Sequence, residues 1–262
     1  IVFRNESQPN AVVSEVWLWE SEAESPPPAA GKEAAAARRK AEKRVLVLTG
    51  IEYPGHKWQD TAPALAEAIE KDPRMAAEVV EDVNFLASPK LADYDVIVQN
   101  WMNWETPSPG PEARENFRKF IEGGKGLVLV HFACGAMQDW PEFRKIAGRV
   151  YDPKLRPHDP HGAFRVDITA VKHPITEGLK AFETTDELYT CLAGDAPIEV
   201  LATARSKVDG KDYPMLFVLN YGKGRVVHCV LGHDLVSVAN PAVAELYRRA
   251  TAWAAGLSPV AP

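Results

Sequence analysis

Cysteine and clustered positive charge are both scarce in this sequence. Three cysteines occur among 262 residues (Cys134, Cys191 and Cys229), and no Cys-x-x-Cys pair is present. An odd number at wide spacing excludes a disulfide framework, and we expect Cys191 and Cys229 to be small buried apolar side chains. The 30 Lys and Arg residues are outnumbered by 36 Asp and Glu, for a net charge of −6, which argues against a nucleic-acid partner.

Long apolar runs, a secretion signal and internal repeats are also missing. No apolar stretch approaches the roughly 20 residues that span a bilayer, so we expect no membrane span. The first residue is Ile1 and not Met, so a leader could have been removed, and both a cytoplasmic and an exported location stay open. A hydrophobic content of 46% over this length is enough for one sizeable core.

Residues 1–43 differ in composition from the rest and are interpreted as an N-terminal extension or linker. Alternation over Val13–Trp19 predicts a short strand, and three consecutive prolines from Pro26 stop regular structure. Residues 32–43 are rich in Ala, Lys, Arg and Glu without an apolar stripe, which is typical of a solvated helix or a linker. Pairing of Val13–Trp19 with another subunit would make the protein a homo-oligomer. The folded domain is expected over residues 44–258.

Predicted strands and helices alternate in the first half of this domain. Short apolar runs, typical of strands buried on both faces, lie at residues 45–49, 77–83, 94–100 and 126–131. Helical patterns lie at residues 61–71, 111–122 and 137–146. Later strands, joined by turns, are predicted at residues 164–168, 199–204, 215–219 and 224–231. A closing helix is predicted at residues 241–255. The predicted fold class is therefore α/β, a flavodoxin-like parallel sheet with helices on both faces, extended by antiparallel strands.

Polar and aromatic side chains follow four of these predicted strands. Ligands of open parallel sheets bind at the carboxyl ends of the strands, so we expect these side chains to meet at one edge and form a small-molecule site. The candidates are His56 after the first strand, Asn100, Trp101, Asn103 and Trp104 after the third, His131 and Cys134 after the fourth, and His233 after the last.

The segment around Cys134 passes from strand to turn to predicted helix, as a nucleophile elbow does. A thiol near a helix N-terminus would have a lowered pKa and could act as a nucleophile. Against this role, residues 132–136 (FACGA) lack the first glycine of a tight elbow, and no downstream His-x-Glu pair is present. The alternative role of Cys134 is packing or support of neighbouring site residues.

Two further segments leave alternatives open. His158, Asp159 and His161 lie within four residues and could either ligate a metal ion or belong to a hydrogen-bonding loop that covers the site. No His-Glu-x-x-His motif occurs, but a divalent metal could be shared by histidines of separate loops. Asp186 and Glu187 either start a helix or turn or reach into the cleft as an acid or a base.

Nine short segments occur in an order that matches a known family. They are Gly55-His56, Gly126–His131, Asp139–Phe143, His173–Leu179, Asp186–Tyr189, Pro214-Met215, Tyr221–Val226, Leu231–Asp234 and Trp253–Gly256. With this order the sequence resembles the ThuA-like (trehalose-utilisation) family of the class I glutamine amidotransferase-like superfamily, from about Lys43 to Leu257. The resemblance implies an amidotransferase-like fold without the Cys-His-Glu triad, so glutamine amidotransferase activity is not expected.

The same resemblance implies a sugar or an oxidised sugar as ligand and makes His56, His131, Glu187 and His233 the leading site residues. Our first hypothesis is an enzyme of carbohydrate metabolism that acts on a disaccharide or keto-sugar by acid–base chemistry, with a possible divalent metal. In it, the tryptophans stack on the sugar and the asparagines bind its hydroxyls. The alternative is a non-catalytic sugar-binding or scaffolding domain, and a third hypothesis is an amide hydrolase that depends on Cys134.

Overall fold

The computed structural model describes residues 41–260, which fold around one nine-stranded sheet. The strand predicted at Val13–Trp19 and the Ala-rich run up to residue 40 lie outside the described residues. The main-sheet strands are β1 (Lys43–Leu48), β2 (Met75–Val80), β3 (Val96–Gln99), β4 (Gly126–Val130), β6 (Gly162–Ile168), β7 (Phe182–Asp186), β9 (Glu199–Arg205), β10 (Asp212–Tyr221) and β11 (Gly224–Cys229). Two short strands, β5 (Val150–Tyr151) and β8 (Leu192–Ala193), pair separately.

The strand order of the main sheet is β2-β1-β3-β4-β11-β10-β9-β6-β7. The first five strands pair in parallel, and the remaining pairs are antiparallel. The parallel half has the flavodoxin-like order 2-1-3-4-5, with β11 as its fifth strand. The predicted fold class, a parallel sheet extended by antiparallel strands, is confirmed.

Five helices and three 3₁₀ turns accompany the sheet in the described part of the chain. The helices are α1 (Trp58–Glu70), α2 (Pro111–Glu122), α3 (Pro141–Ala147), α4 (Leu235–Val238) and α5 (Pro241–Ala254), and the 3₁₀ turns are Val83–Ala87, Pro89–Asp93 and His131–Gly135. Within residues 41–260, no helix is long and apolar enough to cross a membrane.

The core lies where the parallel strands are covered by helices. Every residue of β3 and β4 is buried, as are the last four residues of β1. Burial on both faces explains why these strands are continuous apolar runs in the sequence. The register brings Leu48 opposite Gln99, and Val130 opposite Cys229. The chain therefore leaves β1, β3, β4 and β11 at about the same level, which is the edge where ligands were expected.

One local prediction is wrong, and the structure decides one alternative that the sequence left open. The helix predicted from Met137 begins only at Pro141, because Met137 has a positive φ of 47° that interrupts helical geometry. The helix or turn start considered at Asp186 is instead the end of strand β7. This strand contains only one apolar residue, in the sequence FETTD, so it carries no hydrophobic pattern that marks a strand.

Candidate functional site

Four side chains from four separate chain segments meet at the carboxyl edge of the parallel strands. His56 follows β1, His131 follows β4, Glu187 follows β7 and His233 follows β11. One ligand atom from each of these residues lies within 4.8 Å of all the others. His56 and His131 are buried, while Glu187 and His233 are partly exposed. We call these four residues the His/Glu cluster.

Distances within the His/Glu cluster match those of a metal coordination shell. The Nε2 of His56 lies 3.2 Å from the Nδ1 of His233. Glu187 Oε2 lies 3.3 Å from that same Nδ1 and 3.5 Å from the Nε2 of His131. Ligand atoms placed tetrahedrally at metal distances of 2.0–2.1 Å are about 3.3 Å apart. These three pairs of atoms therefore have about the spacing of ligands around one ion, and the remaining pairs lie within 4.8 Å.

Backbone carbonyl groups orient two of the imidazole rings. His131 Nδ1 lies 2.8 Å from Val230 O, and His56 Nδ1 lies 3.3 Å from Pro54 O. Because a carbonyl oxygen only accepts, each Nδ1 carries a proton and each Nε2 faces the cluster. The Nε2 of His131 is buried without a hydrogen-bond partner. Such Nδ1–H···O=C contacts are the usual support of metal-ligating histidines.

Two members of the cluster, His56 and Glu187, have the protonation state that a metal ion requires. Burial, reinforced by the neighbouring His131 and His233, lowers the pKa of His56 to about 3. Burial alone would raise the pKa of Glu187, but the neighbouring imidazoles of His131 and His233 outweigh it, so this pKa is lowered. At neutral pH, His56 is therefore neutral and Glu187 is ionised, and both are ready to donate electron pairs.

His233 differs from the other imidazoles because its pKa is raised. Burial alone would lower the pKa of His233, but the hydrogen bond to Glu187 and the negative charges of Glu187, Asp186 and Asp234 outweigh burial. The Glu187 carboxylate thus favours a proton on His233. Metal binding would displace that proton, so binding is expected to release it.

A strained backbone carries His131 into the cluster. His131 has a φ of +42°, which is uncommon for a residue other than glycine. It follows β4 directly and begins the 3₁₀ turn His131–Gly135. Strained residues at a strand–turn junction are typical of functional sites. The elbow position that the sequence suggested for Cys134 is therefore occupied by His131, three residues earlier.

The carboxylate of Asp186 binds the backbone next to two residues of the His/Glu cluster, a role that the sequence did not predict. Its fully buried carboxylate accepts hydrogen bonds from the backbone N–H groups of Glu187 and Gly232, both at 2.7 Å, and from the hydroxyl of Ser237. The N–H of His233 lies 3.4 Å from the same carboxylate. Asp186 thus fixes the backbone on both sides of the cluster.

The structure does not provide the lowered thiol pKa that the nucleophile alternative for Cys134 requires. Its side chain is buried, and burial, followed by the proximity of Cys191, raises the pKa of the Cys134 thiol well above its usual range. It lies in a 3₁₀ turn and not at the start of an α-helix, so no helix dipole favours the thiolate. The electrostatic basis for a Cys134 nucleophile is therefore absent.

A cavity of about 320 Å³ opens next to the cluster. Its remaining walls are largely aromatic and sulfur-containing, formed by Tyr53, Met102, Trp104, Phe132, Cys134, Tyr151, His158, Tyr189 and Cys191. Tyr189 packs on His131 with ring centroids 4.3 Å apart. His158 donates its Nδ1 proton to Asp159 O at 2.7 Å, and its Nε2 lies 3.7 Å from Glu187 Oε1. His158 thus belongs to the wall, next to the cluster.

The four candidates after β3 are not brought together. Trp101 is fully buried. Asn100 is buried and donates to Thr61 Oγ1 at 3.0 Å. Asn103 accepts from the N–H of Met137 at 2.7 Å and donates to nearby loop atoms. Only Trp104 lines the cavity.

Asp159 and His161 lie beside the site in different roles. The Asp159 carboxylate accepts from Arg156 at 2.5 Å, Ser206 at 2.8 Å and the N–H of Lys207 at 2.8 Å. Asp159 therefore fixes its loop. His161 Nε2 lies 3.4 Å from Asp234 Oδ2, and the ring of His161 lies 5.0 Å from that of His233.

The sequence did not point to the three tyrosines of the wall, Tyr53, Tyr151 and Tyr189. For Asp186 it suggested a helix or turn start or an acid or base in the cleft, and not a support of the backbone. Tyr53 lies three residues before His56, in a loop that was expected to reach the site. Its position was therefore a usable signal. Tyr151 lies in the two-residue strand β5, for which the sequence gave no pattern.

Comparison with known proteins gives a consistent picture. The ThuA family, described as trehalose utilisation, matches residues 44–254. A ThuA-like protein from Parabacteroides merdae ATCC 43184 superimposes with a TM-score of 0.74 at 23% identity, over 84% of this chain and 92% of that one. A ThuA-like protein from Bacteroides uniformis ATCC 8492 superimposes with a TM-score of 0.67 at 18% identity, over 84% of this chain and 95% of that one.

A more distant fold relative is β-galactosidase from Bacillus circulans sp. alkalophilus. It gives a TM-score of 0.55 at 13% identity, over 85% of this chain and 32% of that one. Likeness at these identities concerns the fold alone. Among curated proteins, none matches the chain.

Proposed function

This chain belongs to the ThuA (trehalose-utilisation) family, and we propose that it is a metal-assisted enzyme of carbohydrate metabolism. It holds one divalent transition-metal ion with His56, His131, Glu187 and His233. It acts on a sugar or keto-sugar bound in the adjoining cavity. The supporting observation is the spacing of the four ligand atoms, which come from four segments and lie within 4.8 Å of one another.

The donor set favours a first-row transition ion over magnesium or calcium. Three imidazole nitrogens and one carboxylate suit Zn²⁺, Fe²⁺, Co²⁺, Ni²⁺ or Mn²⁺, whereas Mg²⁺ and Ca²⁺ prefer oxygen ligands. The buried Nε2 of His131, which has no hydrogen-bond partner, supports this reading. An unpartnered buried acceptor is costly, and an ion would satisfy it.

The cavity beside the cluster suits a sugar. A mostly apolar and aromatic wall with a few polar groups is typical of small-molecule sites. Tyr53, Trp104 and Tyr151 offer aromatic surface for the apolar face of a ring, and the Nε2 of His158 can accept a hydrogen bond from a hydroxyl. The volume of about 320 Å³ is at the low end of the range for ligand pockets, which begins at about 300 Å³.

Each protein group then has a definite task. A bound ion would polarise a ligand carbonyl or lower the pKa of a water molecule. His56 remains neutral because burial lowers its pKa to about 3, and Glu187 supplies the negative charge. Asp186 holds the backbone of Glu187 and Gly232 in place. In this proposal, His131, His233 and Glu187 act mainly as ligands to the ion, and Cys134 serves as wall.

The test uses NMR to measure whether the metal-loaded protein converts any member of a panel of sugars. The panel contains glucose, trehalose, maltose and their ring-oxidised keto forms. We expect at least one keto-sugar to be converted, and Glu187→Gln to abolish conversion. His173→Ala is the matched control, because His173 lies away from the cavity, against the ring of Trp253. Binding without turnover would favour the non-catalytic sugar-binding alternative, and neither binding nor turnover would refute a sugar function.

A further inference from the structure

A second group of possible metal ligands lies beside the His/Glu cluster, toward the surface. It consists of His161, His233 and Asp234, and one ligand atom from each lies within 4.8 Å of the others. His233 lines the cavity, whereas His161 and Asp234 are not among its lining residues. We call these three residues the outer cluster. His233 belongs to both clusters.

Distances in the outer cluster are those of metal ligands. His161 Nε2 lies 3.4 Å from Asp234 Oδ2, which is longer than the usual N–H···O hydrogen bond of about 2.7–3.2 Å. Ligand atoms placed tetrahedrally at about 2.0–2.1 Å from an ion are about 3.3 Å apart, and the centroids of two imidazoles bound in this way are about 5.2 Å apart. The ring centroids of His161 and His233 are 5.0 Å apart. Both distances therefore fit one ion.

The local backbone structure directs the Asp234 carboxylate toward His161. Asp234 is the N-cap of α4, and its Oδ1 accepts from the N–H of Ser237 at 3.0 Å. The other oxygen, Oδ2, is the one that faces the His161 ring. His161 directly precedes strand β6. Two ligands are thus presented by the ends of regular elements.

His233 can serve both clusters because an imidazole has two ring nitrogens. Its Nδ1 faces the His/Glu cluster, 3.2 Å from His56 Nε2 and 3.3 Å from Glu187 Oε2. The second nitrogen, Nε2, remains for an ion on the other side of the ring. With an ion on each nitrogen, both ring protons are displaced and His233 binds as an imidazolate.

We infer that the outer cluster is a second and weaker site for a divalent transition-metal ion, which shares the imidazole of His233 with the first ion. Two imidazoles and a carboxylate suit Zn²⁺, Co²⁺ or Ni²⁺. Three protein ligands leave at least one coordination position for water or another oxygen ligand. Because the outer ligands are more exposed than those of the His/Glu cluster, dialysis should remove the outer ion and leave the other in place.

An ion in the outer cluster would connect the cavity wall to the His/Glu cluster. His161 lies three residues after His158, which lines the cavity. Within this loop, His158 Nδ1 donates to Asp159 O at 2.7 Å. An ion on the outer cluster would therefore hold the loop of His158 against the segment of His233. This inference goes beyond the proposed function, which requires only the ion of the His/Glu cluster.

Isothermal titration with Zn²⁺ tests the second site. The protein is loaded with Zn²⁺, dialysed so that it keeps one equivalent, and then titrated with further Zn²⁺. We expect one additional equivalent to bind. His161→Ala and Asp234→Asn should each weaken this second binding step by at least about tenfold, because loss of a ligand costs at least as much as loss of a group that supports one. Both variants should keep the first equivalent.

The variants are chosen so that folding and metal binding are separated. Asn caps a helix about as well as Asp does, so Asp234→Asn keeps the cap of α4 while it removes the carboxylate. His173→Ala is the matched control, since His173 packs against Trp253, and it should change neither binding step. His233→Ala should remove both equivalents from a protein that remains folded by circular dichroism.

The outcomes distinguish this site from the proposed function. Absence of a second binding step, or a second step that survives His161→Ala and Asp234→Asn, would overturn the outer site and leave the first ion intact. Survival of the second step in His233→Ala would overturn the shared imidazole. If the dialysed protein keeps no Zn²⁺, the proposed metal centre fails, but a single binding step that depends on His161 and Asp234 would still support the outer site.

Discussion

Replacement of Asp186 by Asn should weaken metal binding without removing a ligand. The carboxylate receives the N–H groups of Glu187 and Gly232 and the hydroxyl of Ser237. The Asn side chain has one acceptor oxygen, so it can accept from the donors on one side only. Its NH₂ group would face the donors on the other side. The backbone N–H groups on that side would lose a charged acceptor in a fully buried place.

The magnitude follows from the bonds that are lost. A hydrogen bond to a charged group contributes about 1.5–3 kcal/mol, so Asp186→Asn should lower the free energy of unfolding by about 2–4 kcal/mol. Loss of a group that supports metal ligands typically reduces metal affinity by about 10–100-fold. Ser237→Ala, which removes one donor to the same carboxylate, should cost about 1.5–3 kcal/mol and reduce metal affinity by less than Asp186→Asn does.

The assay combines urea unfolding, followed by tryptophan fluorescence, with titration of Zn²⁺ into the folded variants. We predict that Asp186→Asn lowers both the free energy of unfolding and the affinity for Zn²⁺. If the variant lost stability but bound Zn²⁺ as tightly as the parent, Asp186 would support only the fold. If both quantities were unchanged, the hydrogen-bond network assigned to Asp186 would be wrong.

Three other changes probe the thiol, a paired carboxylate and a close backbone contact. Cys134 should react with iodoacetamide far more slowly than an exposed cysteine at pH 8, because burial raises the pKa of its thiol, and Cys134→Ser should keep metal binding; rapid labelling in the folded state would contradict this. Arg74 lowers the pKa of Asp72, so the stabilisation exists above the unfolded pKa of about 3.9 and is lost as pH falls through the folded value. Asp72→Asn should therefore cost about 1–3 kcal/mol at pH 7 in urea unfolding, with a difference that shrinks below about pH 4; a difference independent of pH would refute the pairing. Gly224→Ala should destabilise by about 1–3 kcal/mol in the same assay, because its Cβ would lie 2.1 Å from Ile121 O, and unchanged stability would contradict that contact.

The parallel half of the fold was predictable because its strands are buried on both faces. Residues 45–48 and 126–130 are continuous apolar runs, and their carboxyl ends meet at one edge for geometric reasons. Because ligands bind at the carboxyl ends of parallel strands, the sequence alone predicted His56, His131 and His233 as site residues. Glu187 came from the family resemblance, since β7 gives no hydrophobic signal.

Other features depended on packing that the sequence does not encode locally. Trp101 and Trp104 are three residues apart, and only the three-dimensional path of the loop buries the first and exposes the second to the cavity. The strained residue of the elbow is His131 and not Cys134, because the chain turns directly after Val130. The support given by Asp186 involves Gly232 and Ser237, 46 and 51 residues away. Such long-range contacts cannot be inferred from spacing.

The most direct test of the account is the metal content of the purified protein. The protein is stripped with a chelator, reloaded separately with Zn²⁺, Mn²⁺ and Co²⁺, dialysed and measured by elemental analysis. The same measurement on Glu187→Gln and His56→Ala, with circular dichroism to verify folding, identifies the ligands. We predict one equivalent of ion in the parent protein and a substantial loss in both folded variants. A parent protein that retains no ion, or variants that retain one equivalent, would contradict the proposed metal centre.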